Sequence, residues 1–333
     1  MTRRVLRRVA WAMFVIWAVV SLTFVVNNVL PSDPARMVAG PQSRPQDVER
    51  IRKQLGLDRP LTRQYASFMH RLVHFGPSSP DAKDPVHGTC GTIGRLHFDL
   101  GRSYQQRRPV ITILAERLPR TLWLAFAAML VQVVVGTGAG IFAATRKGSW
   151  GDHLAVGTSL LGVSAPTFVI GLVLQFVLAH ELRLVPLDGY GLTAKEHLVS
   201  VILPALTLGV YGAAFYTRLV RDEMIVLMKK DFIRTARAKG LSELGVVLRH
   251  AFRNALMPLV TIMGLDLGAL VGGAIVTETL FRWPGIGALS VTALLDRDGP
   301  VILGTVLVTS TAIVFSNVLV DLCYAALDPR VRG

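Results

Sequence analysis

Four stretches of this chain, residues 121–144, 154–179, 198–217 and 301–320, contain no Asp, Glu, Lys or Arg. Each is close to or above the roughly 20 residues that a helix needs to cross a hydrocarbon core about 30 Å thick. Residues 9–26 form a fifth apolar stretch, and residues 255–281 a sixth that only Asp266 and Glu278 interrupt. With 51% hydrophobic and 17% charged residues in 333, a soluble core of this length would be broken by more charge. The sequence therefore predicts an all-α polytopic membrane protein with six transmembrane helices. Arg3, Arg4, Arg7 and Arg8 precede the first stretch, as in a signal peptide. That stretch exceeds the roughly 7–15 apolar residues of such a signal and has no clear small-residue cleavage site. It is expected to remain as the first span.

Orientation follows from Lys and Arg in the short connections, which favour the cytoplasmic side. With the N-terminus inside, the inner segments carry four in residues 1–10, Arg146 and Lys147, nine in 218–254, and Arg330 and Arg332. The short outer loops carry only Arg183, Lys195, Arg282 and Arg297. Both termini are expected in the cytoplasm. The formal charge of +14 is mostly this topological bias, so nucleic acid is not an expected partner. The organisation predicted is a terminus and first span over 1–30, an extracytoplasmic region over 31–118, and a five-helix core over 119–333 with a cytoplasmic insert at 218–256.

In the outer region, Val48, Ile51 and Leu55 mark a helix from Pro45, and Leu61, Tyr65, Phe68 and Leu72 mark another. Residues 76–94, rich in Gly, Pro and Ser, read as flexible loop. Residues 110–117 suit an interfacial amphipathic helix that Pro119 separates from the second span. His70 and His74 share a helix face, and His87, Cys90 and His97 follow. Imidazole and thiolate suit a transition metal, but this spacing matches no compact metal motif, and no metal site is assigned. Cys90 outside and Cys323 near the inner end of the last span are not expected to pair.

The insert reads Asp231-Phe-Ile-Arg-Thr-Ala-Arg-Ala-Lys-Gly240, then Leu241, Ser242 and Glu243, then Arg249-His-Ala-Phe-Arg-Asn254-Ala-Leu-Met-Pro258. Asp231 is a good N-cap and Gly240 a good C′ residue for a two-turn helix. Ser242 caps a second helix whose apolar stripe is Leu244, Val247, Leu248, Ala251, Phe252 and Ala255. The small residues Ala236, Ala238 and Gly240 admit close approach of another protein. From the residues alone, the insert suits either a docking element or a basic loop lying against headgroups.

A resemblance decides between them. The insert is similar to the cytoplasmic loop of ABC importer permeases, the membrane subunits of binding-protein-dependent uptake systems, and within them to the dipeptide/oligopeptide branch, first permease subunit. It is carried by Thr235 to Gly240, Arg253 to Ala255 and Pro258, together with Leu30-Pro-Ser-Asp-Pro34, Leu55-Gly-Leu-Asp-Arg-Pro60, Asp99-Leu-Gly-Arg-Ser103, Glu116-Arg-Leu-Pro119, Thr277-Glu-Thr, Trp283-Pro-Gly-Ile-Gly287 and Asp328-Pro-Arg330. It covers nearly the whole chain except about residues 77–95. Arg234-Thr235-Ala236 stands where the broader family has Glu-Ala-Ala, and Asp266 stands where a neutral polar residue is expected.

The resemblance implies that Arg234, Thr235, Ala236, Arg237, Ala238, Lys239, Gly240, Leu241, Ser242, Arg253 and Asn254 dock on a cytoplasmic ATPase. The implied partners are two ATPase subunits that bring ATP and Mg, a second homologous permease subunit and an extracytoplasmic binding protein. The implied location is a bacterial inner membrane. The implied cargo is a di- or oligopeptide, with nickel chelates, haem and glutathione as alternatives. No cofactor is expected on this chain.

Within the membrane, Gly264, Gly268 and Gly272 form a stripe for close helix packing. Asp266 lies nearly opposite, sharing its face with Leu270, Gly273 and Thr277. An intramembrane carboxylate faces a polar path or a partner, so this face is a candidate lining of the pathway. Gln132 and Gln175 are weaker candidates, and Glu278 is expected at the outer interface. The chain has no Gly-x-x-x-x-Gly-Lys-Ser/Thr phosphate loop, so ATP is expected on another subunit. Its spans show no nucleophile–base pair or His-Glu-x-x-His motif, and it is not expected to be an enzyme. A secondary transporter or channel would show an internal repeat and coupling charges, and neither is present.

Overall fold

The structure, a computed structural model, describes residues 2–29, 34–40, 42–54, 56–76, 90–272 and 274–327. Leu55, His87, Gly273, most of the 30–34 motif and the Asp328-Pro-Arg330 motif lie outside them, as does the side chain of Cys323. In chain order the helices are α1 (Thr2–Val29), α2 (Pro34–Ala39), α3 (Pro45–Gln54) and α4 (Leu61–Leu72). Strands β1 (His74–Phe75), β2 (Gly91–Ile93) and β3 (Leu96–Phe98) follow. Then come α5 (Val110–Thr145), α6 (Trp150–Ser164), α7 (Thr167–Leu174), α8 (Ala194–Ser200), α9 (Ile202–Leu227), α10 (Asp231–Ala238) and α11 (Glu243–Gly245). The last are α12 (Arg253–Val271), α13 (Ile275–Leu280), α14 (Ile286–Leu295) and α15 (Gly299–Leu327). Wider π-helical turns extend α7 over Gln175–Glu181 and join α11 to α12 over Val246–Phe252.

Four of these helices are long and apolar enough to cross a membrane, spanning Val110–Thr145, Ala194–Leu227, Glu243–Val271 and Gly299–Val320. The pair Trp150–Ser164 and Thr167–Glu181, bent by 108°, passes the same test only when taken together, as a broken span or a re-entrant loop. Pro166 explains the bend: it caps α7 and has no N–H to continue the ladder of α6. The apolar stretch 154–179 is thus broken, where the sequence predicts a single transmembrane helix. Ala10–Val26 within α1 is apolar but shorter than these. Pro119 lies inside α5, so the expected interfacial helix at 110–117 is instead the first turns of one 36-residue helix. The sixth apolar stretch also departs from expectation, ending as a long helix at Val271 before the short α13.

The chain divides into two compact units, residues 1–5, 120–284 and 312–333 in one and 6–119 and 285–311 in the other. In the first unit α6, α7 and α12 pack on α9. Small residues make the close approaches, as expected where lipid removes the hydrophobic drive for helices to associate. A Cβ on Gly136 or Gly140 of α5 would strike the backbone of α9 at Ala213 and Thr217, respectively. Gly162 of α6 lies against Ala214, and Gly268 of α12 against Ile313 and Ser316 of α15.

The second unit buries Leu100, Val110, Ile113, Leu114, Ile286, Leu289, Ala293 and Val301 together. Its polar centre is Asp298, 3% exposed, which accepts from the Ser103 hydroxyl and from the backbone N–H groups of Tyr104 (3.1 Å) and Gln105 (3.2 Å). Burial, with the Asp298 carboxylate beside it, pushes the Tyr104 phenol up to about 12. The Asp99-to-Ser103 motif is therefore a turn folded around a buried carboxylate. Phe24 of α1 stacks on Phe68 of α4 at 5.2 Å, and Ser21 meets the Tyr65 hydroxyl at 2.6 Å. Within the expected flexible loop at 76–94, Gly91–Ile93 is instead a strand of a small antiparallel sheet, ordered β1-β3-β2, while residues 77–89 lie outside the described ones. The described residues are thus mostly, not wholly, helical.

Candidate functional site

The insert is built on a short rigid helix. Lys230, not the expected Asp231, is the N-cap of α10, and Asp231 stands in the first turn with its carboxylate at the positive helix end. The helix ends in a Schellman turn. Gly240 N–H donates to Arg237 O (2.9 Å), Leu241 N–H donates to Ala236 O (3.4 Å), and Gly240 takes φ +77°. Ser242 then accepts from Gly245 N–H and starts the next helix, as expected. That helix is not short: α11, the π turns and α12 run on as one span from Glu243 to Val271. Any tilt of the span is therefore carried into the turn at Gly240.

One face of α10 is fixed to its own unit. Ile233 (0% exposed) and Ala236 (4%) enter a cluster with Met224, Val246, Val247, Ala251 and Ala255. Ala236 is thus an anchor facing inward, where the sequence suggests a small surface residue for a partner. Of the predicted stripe on the second helix, Val247, Ala251 and Ala255 are buried, while Leu244 and Leu248 are exposed. The outward face holds Phe232, Arg234, Thr235, Arg237, Ala238, Lys239, Gly240, Leu241 and Ser242, all exposed. Arg237 closes the turn with two parallel hydrogen bonds to Glu243, at 2.7 and 3.1 Å, and these hold its guanidinium above its ordinary value. Arg253 and Asn254 are also exposed, and Asn254 donates to His250 O at 2.6 Å.

The root of α10 is braced by an ion pair that the sequence reading missed. Asp152 at the start of α6 is 2% exposed and receives Arg221 of α9 in bidentate fashion, at 2.6 and 2.9 Å. Gly148 N–H (2.8 Å) also donates to it. The signal was an acid just past the Arg146-Lys147 turn and an Arg one turn beyond the apolar stretch that ends at residue 217. Neither residue names the other.

Of the pathway candidates, Asp266 and Leu270 are half-buried on α12 and Thr277 is buried on α13. The buried Tyr216 hydroxyl lies near the Asp266 carboxyl but outside hydrogen-bond geometry. Gln132 is 3% exposed and sits against the backbone of Gly212, between α5 and α9. Gln175 donates to Leu187 O at 3.0 Å. Gly264 lies against Val320, and Gly272 ends α12. Glu278 is not interfacial as expected: it is fully buried and accepts from Thr121 Oγ1 at 3.0 Å. Beside this, Trp283 is fully buried and its indole donates to Arg120 O at 3.1 Å. The Thr277-Glu-Thr and Trp283 motifs are thereby structural fastenings.

Two family models match the chain. One is the binding-protein-dependent transport system inner membrane component, over residues 136–333, and the other its N-terminal part, over residues 1–125. The chain is 39% identical over 332 residues to a glutathione transport system permease protein, GsiC, of Escherichia coli, covering 100% of this chain and 99% of that protein. It is 40% identical over 335 residues to a putative peptide transport system permease protein of Brucella abortus, with the same coverage. A solved structure of the MetNI methionine ABC transporter in an inward-facing conformation aligns with a TM-score of 0.54 and 19% identity, over 66% of this chain and 98% of that one. At that identity the likeness speaks for the fold alone.

Proposed function

This chain belongs to the binding-protein-dependent transport system inner membrane component family, and from that premise we propose that it forms half of the translocation path of an ATP-driven peptide importer. It is a multi-pass protein of the bacterial inner membrane. The observation that carries the reading is the α10 helix, seated by Ile233 and Ala236 on its own unit while its basic face stands exposed. A helix so held and so uncovered fits a groove on a soluble subunit, and its continuity with the Glu243–Val271 span makes it a lever. Closure of an ATPase on it would bias the bundle between two states.

In this reading Ala10–Val26 completes six spans, both termini are cytoplasmic, and the long region after α1 faces an external binding protein. ATP and Mg are held by two ATPase subunits, and a second homologous permease supplies the other half of the path. Asp266 and Leu270, half-buried on α12, line that path from this side, whereas Thr277 is buried and belongs to the packing. Gln132, packed on Gly212, serves helix contact instead. Glutathione, the cargo in the name of a 39% identical relative, is the second reading of the cargo and is itself a small peptide.

The test is reconstitution into liposomes. The purified chain alone is expected to hydrolyse no ATP and move no cargo. With its genetic neighbours it is expected to take up peptide in an ATP-dependent and binding-protein-dependent way. ATP hydrolysis by the isolated chain would sink the proposal. Uptake of glutathione with refusal of other peptides would select the second cargo.

A further inference from the structure

The small sheet brings together three residues that their sequence spacing keeps apart. His74 of β1 stands directly opposite His97 of β3, so their side chains share one face. On the other side His97 is opposite Thr92 of β2. Cys90 immediately precedes β2 and stands two residues before Thr92, the spacing that returns a side chain to the same face of an extended chain. Ligand-capable atoms of His74, Cys90 and His97 all lie within 4.8 Å of one another. His97 is fully buried, and the other two are partly buried.

The orientation of His74 is fixed by a second contact. Its Nδ1 lies 3.0 Å from Arg71 O. A carbonyl only accepts, so Nδ1 carries the hydrogen and Nε2 keeps its lone pair. Nε2 in turn faces Cys90 Sγ at 3.8 Å. An imidazole whose far N–H is tied to a backbone carbonyl is the usual arrangement of a metal-ligating histidine. Two ligands on one tetrahedral zinc lie about 3.3–3.8 Å apart, given bonds of about 2.0–2.3 Å.

We propose that His74, Cys90 and His97 bind one zinc(II) ion, with water in the fourth position. Two imidazoles and a thiolate are a borderline-to-soft set that disfavours Mg and Ca. On binding, the Cys90 S–H bond breaks, its proton passes to solvent, and the sulfur and the two ring nitrogens donate lone pairs to the metal. No electron is transferred. Strands of two or three residues make a sheet that is marginal by itself. The ion ties all three strands and closes the chain between His74 and Cys90, 16 positions apart. The proposal rests on strand register and is independent of the cargo.

The test uses the full-length chain in detergent, stripped with chelator and reductant and then titrated with cobalt(II). One cobalt per chain is expected, with a thiolate-to-cobalt charge-transfer band and the intense visible bands of a tetrahedral site, both erased by added zinc. Cys90→Ser should abolish the charge-transfer band. It should weaken zinc by more than the roughly 100-fold that changes around a ligand can cost. His74→Ala should lower zinc affinity similarly while the helical circular dichroism of the spans stays unchanged, and His70→Ala should change neither reading. Absence of the charge-transfer band, or its survival in Cys90→Ser, leaves only a thiol–imidazole hydrogen bond and overturns the proposal. Binding of copper(I) with refusal of zinc overturns the choice of metal.

Discussion

Asp152 ties the start of α6 to α9. Its carboxylate is buried, and Arg221 reaches it with two short hydrogen bonds. Breaking a buried pair on one side is costly because the remaining charge has lost its partner. Asp152→Asn keeps the size and removes the charge, and is expected to cost about 3 kcal/mol. A lowered thermal midpoint for the variant in detergent, set against a much smaller change for Asp222→Asn, whose exposed carboxylate also meets Arg221 at 3.0 Å, would check this. The pair was illegible in sequence because its partners are 69 positions apart. The same holds for Glu278, buried against Thr121 from 157 positions away. A carboxylate near the end of an apolar stretch reads as interfacial until the group that receives it is known. Ser242 and Gly240 were legible because a cap and a left-handed stop are local chemistry.

At the scale of the element, the turn after α10 decides whether the span and the helix move as one piece. Gly240 holds φ +77° with nothing within 4 Å of where a Cβ would stand. A Cβ there meets no clash and costs only backbone strain, about 1–2 kcal/mol per residue. Gly240→Ala is therefore expected to fold and insert but to lose most ATP-dependent uptake in the reconstituted importer. Wild-type uptake by this variant would show that the turn does not transmit motion. Hydropathy located the long helices, since each holds an apolar 18-residue window with at most two charged residues, and periodicity had little to add. It missed β1, β2 and β3 because two or three residues carry no period, and their register came from pairing across the sheet. It also passed over Gly136 and Gly140 on α5, whose spacing of four marks the close approach to α9.

For the molecule as a whole, apolar composition was enough to mark the chain as a membrane protein, and charge asymmetry gives the orientation expected of it. What it could not supply was the division of the chain. Residues 285–311 group with 6–119 rather than with the spans on either side of them, because the core of Val110, Ile113, Ile286 and Leu289 is assembled from distant segments. Six apolar stretches in sequence became four long helices, one bent pair and the shorter Ala10–Val26. Proline and glycine break runs that hydropathy reads as continuous.

The central claim is that the exposed face of α10 meets a soluble ATPase on the inner side of the membrane. The direct measurement places a photo-crosslinking amino acid at Thr235 on that face, or at Leu192, which is 95% exposed in the connection before α8, in cells expressing the whole importer. The account predicts a covalent adduct with the ATPase subunit from position 235 and none from position 192. An ATPase adduct from 192, or none from 235 in a transporting complex, would contradict it.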